Sequence, residues 1–96
     1  MERLDADKRG HTDVIMDIVP MPKLQLVATC SLDKKIILWS NIDWTEKRTY
    51  REHTLGVLSM TFNESLILLV SAGYDHQICV WNPYIGKLSL YNTNSK

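Results

Sequence analysis

The chain aligns with itself, without a gap, at a single offset of 42 residues. His11 falls on His53, Thr29 on Ser71, Asp33 on Asp75, Ile36 on Ile78 and Trp39 on Trp81. Apolar positions hold the same register, with Ile18 on Met60, Leu26 on Leu68, Val27-Ala28 on Leu69-Val70 and Leu38 on Val80. A repeat of this length is one supersecondary unit that buries its apolar faces on neighbours of its own kind. The chain therefore reads as two copies of one unit.

Within each copy the apolar segments are rich in Val, Ile, Leu and Thr, too short for helices, and separated by turn residues. Four strands per copy follow. The first copy places them near Val14 to Val19, Leu24 to Cys30, Lys35 to Trp39 and Glu46 to Arg51. Pro20-Met21-Pro22 is expected to separate the first two, because proline donates nothing to a ladder, and Ser31-Leu32-Asp33-Lys34 makes the next turn. The second copy places them near Val57 to Phe62, Ile67 to Ala72, Gln77 to Trp81 and Lys87 to Tyr91. Its turns are Asn63-Glu64-Ser65 and Gly73-Tyr74-Asp75-His76. The run Leu66-Ile67-Leu68-Leu69-Val70 is apolar on both faces, so both faces of its sheet need cover, which sheets stacked face to face provide.

Gly10-His11, Thr29, Asp33 and Trp39, repeated as Glu52-His53, Ser71, Asp75 and Trp81, resemble the WD40 repeat. The period lies within that family's range. Trp39-Ser40 and Trp81-Asn82 stand where the family's name-giving dipeptide falls, and Glu52 stands where glycine is usual. The resemblance implies an all-β chain of two four-stranded antiparallel blades, a partial and unclosed β-propeller. The units would be a repeat over 10–51 and another over 52–91, flanked by a polar segment over 1–9 and a tail over 92–96. It also implies two structural tetrads, His11, Thr29, Asp33, Trp39 and His53, Ser71, Asp75, Trp81, each a chain of hydrogen bonds that satisfies a buried indole N–H. Two blades are fewer than a closed ring needs, so further blades would come from the same parent protein or from another chain.

Asp, His and a hydroxyl invite a hydrolase-like use, with Thr29 or Ser71 as nucleophile, or a propeller-based enzyme or small-ligand binder. The same set recurs at identical spacing in both copies, as a structural device does, so no catalytic residue and no enzyme activity is expected. Cys30 and Cys79 lack the close spacing of zinc ligands, and no glycine-rich phosphate loop occurs, so no metal and no cofactor is expected. Both cysteines read as buried free thiols. His76 reads as a solvated turn residue, and Asn63-Glu64-Ser65 as turn chemistry.

Eleven basic residues balance eleven acidic ones, which gives nucleic acid no electrostatic footprint. The longest apolar run, Leu66 to Val70, is far short of the roughly 20 residues of a membrane helix. The charged first ten residues do not read as a secretory signal, so a cytoplasmic or intracellular location is expected.

What remains is a surface for protein or peptide partners, a non-catalytic interaction scaffold. The resemblance puts it on the face formed by the tetrad turns, with Leu32, Lys34, Leu55, Tyr74 and His76 as candidate contacts. Tyr74 is either the leading contact or a cover for a neighbouring blade. Trp44 and Tyr84, on the opposite face, read as covers over the blade ends. Ser71-Ala72-Gly73-Tyr74-Asp75-His76 and Trp81-Asn82-Pro83-Tyr84 are also similar to phrases in large WD-repeat proteins of cilia and flagella.

Overall fold

The computed structural model describes residues 10–92. Two antiparallel meanders follow each other along the chain. Sheet 1 contains β1 (Ile15–Met21), β2 (Leu26–Ser31), β3 (Ile36–Ser40) and β4 (Glu46–Tyr50), with a 3-10 turn over Pro22–Leu24. Sheet 2 contains β5 (Val57–Asn63), β6 (Leu68–Gly73), β7 (Gln77–Asn82) and β8 (Gly86–Asn92). Each sheet is ordered as its strands occur in sequence, and the two do not close into a ring. The expected segment over 1–9 and residues 93–96 of the expected tail lie outside the described residues, while Asn92 ends β8.

The repeat extends into the backbone. Ala28 pairs with Leu38 in sheet 1, and Val70 with Val80, their equivalents, in sheet 2. The register shifts between Ile15 and Asp17 in β1 and at the matching Val57 and Ser59 in β5. Left-handed residues also come in pairs: Gln25 with Ile67, Lys34 with His76, and Trp44 with Gly86. Glycine pays no steric cost there, whereas a β-branched Ile67 at φ 55° is strained. The turn geometry is thus a property of the unit, and the sequence of each copy is fitted to it.

Three expected boundaries shift. Pro20 and Met21 lie inside β1 rather than in a turn, with Pro20 opposite Val27. The reason is that β1 is an edge strand, where a missing N–H disrupts no inner ladder. Leu24 belongs to the 3-10 turn, and β2 begins at Leu26. Leu66 and Ile67 belong to a turn, closed by the Leu66 N–H on Asn63 Oδ1 at 2.9 Å, so β6 begins only at Leu68. Local hydrophobicity favoured strand there, and the left-handed Ile67 overrides it.

The core forms where the sheets stack. Met21, Ala28, Cys30, Ile36, Leu38 and Tyr50 from sheet 1 meet Val57, Met60, Leu69, Cys79 and Trp81 from sheet 2. The repeat gives an internal control on what stacking does. Met60 is 8% exposed against sheet 1, while its equivalent Ile18, with no sheet described in front of it, is 53% exposed. Tyr50 stacks on Trp81 with ring centroids 4.1 Å apart and planes within 6°, which adds roughly 0.5–1.5 kcal/mol to the burial itself. Asp17 spans the seam near its inner edge: one carboxylate oxygen accepts the Ile18 N–H at 2.9 Å and the other accepts the Met60 N–H at 3.0 Å. Ile18 and Met60 are repeat equivalents, so one side chain holds the same amide of both inner strands. At the outer edge an Arg48 guanidinium N–H donates to the Tyr84 carbonyl, and Lys87 pairs with Glu52 at 3.2 Å.

Candidate functional site

His11 precedes β1, Thr29 lies in β2, Asp33 in the β2–β3 turn and Trp39 in β3, and the structure brings all four together. The Trp39 Nε1–H donates to Thr29 Oγ1 at 2.8 Å. Thr29 Oγ1 lies 2.6 Å from His11 Nε2, and His11 Nδ1 lies 3.0 Å from Asp33 Oδ2. A carboxylate only accepts, so Nδ1 carries the proton on this side. With the ring neutral, Nε2 then accepts the threonine O–H. Sheet 2 assembles the same chain: Trp81 Nε1–H to Ser71 Oγ at 2.8 Å, Ser71 Oγ to His53 Nε2 at 2.8 Å, and His53 Nδ1 to Asp75 Oδ2 at 3.0 Å.

Each Asp is anchored further by backbone. Asp33 accepts the N–H groups of Thr12 and Lys35, both at 2.9 Å, and Asp75 those of Thr54 at 2.8 Å and Gln77 at 3.1 Å. Burial alone would raise the pKa of both carboxyls. The N–H donors and the His contacts outweigh it and hold Asp33 and Asp75 below the usual carboxylate range. Burial pushes the Cys30 thiol up to about 12 and the Cys79 thiol up to about 11, so both are poor nucleophiles.

The order Asp, His, hydroxyl is that of a hydrolytic triad, but the hydroxyl has no room to attack. Ser71 is fully buried, and Thr29 nearly so. Each hydroxyl donates to histidine and accepts from an indole, so a substrate carbonyl would find both the hydroxyl's capacity and the space around it taken. What this geometry does is tie three consecutive segments of a sheet to the turn that joins two of them. No group of three or more His, Cys, Asp or Glu able to hold a metal occurs among the described residues. No helix among them is long and apolar enough to cross a membrane.

The tetrad turns of both sheets emerge at one end of the strands. Leu55 is 48% and Tyr74 51% exposed there, and Lys34 and His76 are also exposed. Leu32 is half-buried instead: its Cα and side chain lie so close to Gly56 that a Cβ at Gly56 would meet them at 2.9 and 2.8 Å. It therefore serves the seam between the sheets. Met16 and Leu58, the residues skipped by the two register shifts, add exposed apolar side chains to the same end. Sequence reasoning missed them, since a bulge re-aims one side chain without changing the apolar pattern. At the opposite end Trp44 and Tyr84, in the β3–β4 and β7–β8 turns, are each exposed by half or more.

The profile of the WD domain, G-beta repeat family matches residues 5–40 and 44–82. The chain is 59% identical over 85 residues to Cilia- and flagella-associated protein 337 B of Tetrahymena thermophila, a match covering 88% of this chain and 7% of that protein. It is 33% identical over 87 residues to Nuclear distribution protein nudF of Aspergillus flavus, covering 86% of this chain and 19% of that protein. A chain in the crystal structure of the Mitotic Checkpoint Complex superposes with a TM-score of 0.81 at 21% identity, over 92% of this chain and 28% of that one, a likeness of fold. The chain thus spans only a small part of the proteins it matches.

Proposed function

The chain belongs to the WD40 family, and from that premise we propose that it is a non-catalytic protein-interaction scaffold, two blades of a larger propeller, working in a cilium or flagellum. The observation that carries the reading is the 59% identity, over nearly the whole chain, to a protein named for cilia and flagella. The small share of that relative which it spans supports the view that other blades complete the ring. The exposure of the sheet 1 residues Ile15 and Ile18, whose equivalents Val57 and Met60 are buried by stacking, supports it too. The tetrads act as structural ties, and locking both hydroxyls against indoles speaks against the hydrolase alternative.

The contact surface is the end of the strands that carries Leu55, Leu58 and Tyr74, with Met16, Lys34 and His76 beside them. Apolar and aromatic side chains held on short turns by a rigid sheet are suited to hot-spot contacts. The reading is tested by expressing the tagged chain in ciliated cells, as wild type and as a Leu55→Ser/Tyr74→Ala double variant. Wild type is expected to accumulate in the cilium, and the variant to lose accumulation while its melting temperature stays unchanged. Equal accumulation of both would remove this end of the strands as the contact surface.

A further inference from the structure

Antiparallel strands joined in sequence order send the β1–β2, β3–β4, β5–β6 and β7–β8 turns to one end, away from the tetrads. Three of these turns carry five large apolar side chains that nothing in the fold covers. Ile42 and Ile85 are each 70% exposed, Leu66 65%, Tyr84 58% and Trp44 50%. Single exposed apolar residues are ordinary on a protein surface, whereas several gathered at one end mark a contact site. The Arg48 guanidinium donates to the Tyr84 carbonyl, which ties the β7–β8 turn of sheet 2 to β4 of sheet 1.

The backbone of these turns decides what the contact is. The N–H of every one of the five residues already donates within the protein. Ile42 donates to Ser40 Oγ at 3.2 Å and Trp44 to the Ser40 carbonyl at 2.8 Å. Leu66 donates to Asn63 Oδ1 at 2.9 Å, Tyr84 to Asn82 Oδ1 at 2.8 Å and Ile85 to the Asn82 carbonyl at 3.1 Å. Turns with no open donor have little directional bonding to offer a partner protein, yet they leave water for a bilayer surface without stranding an N–H. Their side chains suit the same medium. Tryptophan and tyrosine, with an apolar body and a polar tip, favour the headgroup boundary of a membrane, and isoleucine and leucine favour the acyl chains beneath it. Charge adds little: Lys23, Lys47 and Arg48 stand against Asp43, Glu46 and Glu64 at this end, and Lys87 is held by Glu52.

We propose that this end of the strands is a membrane-docking surface, which seats Ile42, Trp44, Leu66, Tyr84 and Ile85 in the interface of a zwitterionic phospholipid bilayer. The chain lies on the bilayer without crossing it, held by apolar burial rather than by attraction to anionic headgroups. The surface does not depend on the contact surface around Tyr74, since the two occupy opposite ends of the strands.

The protein carries its own reporter. Trp39 is 3% and Trp81 1% exposed, so a quencher in lipid reaches Trp44 before the other two tryptophans of the chain. The test adds the whole chain to phosphatidylcholine vesicles with brominated acyl chains and follows tryptophan fluorescence, with folding of each variant checked by circular dichroism. Wild type is expected to be quenched. Tyr84→Ser/Ile85→Ser, which keeps the reporter, is expected to need roughly tenfold more lipid, from the apolar surface that two half-seated side chains withhold. Leu55→Ser/Tyr74→Ala, altered at the other end, is expected to bind as wild type does. Raising salt from about 0.1 to 0.5 M is expected to change binding less than about twofold, as screening leaves apolar burial in place. No quenching of the folded wild type, equal quenching of Tyr84→Ser/Ile85→Ser, loss of binding in Leu55→Ser/Tyr74→Ala, or loss of binding in high salt would each overturn the proposal.

Discussion

Replacing Ser71 by alanine removes one oxygen and nothing else of consequence in volume, yet it strips two partners at once. The Trp81 Nε1–H loses its acceptor and His53 Nε2 its donor, both 2.8 Å away. Ser71 is fully buried, Trp81 is 1% and His53 3% exposed, so no bulk water reaches the gap. Each stranded group costs about 1–3 kcal/mol, which puts Ser71→Ala at roughly 2–6 kcal/mol. That is a large share of the stability of a small domain. Two variants separate this from a generic loss of packing. Ser71→Thr keeps the oxygen and both of its hydrogen bonds and copies Thr29 of the first repeat, so it is expected to cost less than Ser71→Ala, its loss confined to seating one extra methyl. Trp81→Phe removes the donor beforehand, so Ser71→Ala made in that background is expected to cost about 1 kcal/mol less than in wild type, a coupling that a double-mutant cycle reads directly. Urea unfolding followed by circular dichroism supplies the numbers, with midpoints compared at constant slope. A Ser71→Ala cost below about 0.5 kcal/mol, the usual range of surface changes, or strict additivity with Trp81→Phe, would refute the reasoning.

Three further outcomes follow from the same geometry. Because the folded pKa values of Asp33 and Asp75 lie below the ordinary 3.8, unfolding takes up protons in acid; the stability these carboxylates supply is present above that value and disappears as pH falls through the folded values. Unfolding free energy should therefore drop steeply below about pH 4, and Asp75→Asn should flatten the drop while lowering stability at neutral pH. Cys30 and Cys79, with thiols raised to about 12 and about 11 and both side chains buried, should resist iodoacetamide at pH 8 and label fully only in denaturant, as counted by mass spectrometry. Asp17→Ala leaves the Met60 N–H without its acceptor at the seam and should cost about 1–3 kcal/mol; hydrogen exchange at Met60 should speed up more than exchange at the Val70 amide inside sheet 2.

The period of 42 residues, the strand count and the identity of each unit are legible in the chain because they are written locally, in turn residues and apolar runs that occur twice. Resemblance then supplied a role for His11, Thr29, Asp33 and Trp39 that spacing alone could not, since nothing in a spacing of 18 residues says that His11 Nε2 comes to 2.6 Å from Thr29 Oγ1. Pro20 and Leu66 show where local signals mislead. A proline is harmless on an edge strand, and an apolar pair can serve a turn when the unit's backbone demands a left-handed residue at Ile67.

What the sequence determined by itself is the unit: its length, its four strands, its turns and the side chains that recur in it. What only the tertiary structure decided is everything at the seam between the units. The stack of Tyr50 on Trp81, the bridge of Asp17 to Met60 and the cover of Leu32 over Gly56 all join residues of different copies. Such contacts depend on how one twisted sheet sits against the next, which no period within a single copy encodes. Ile18 and Met60 make the point: equivalent in sequence and in backbone, they differ in exposure because a described sheet stands in front of only one of them.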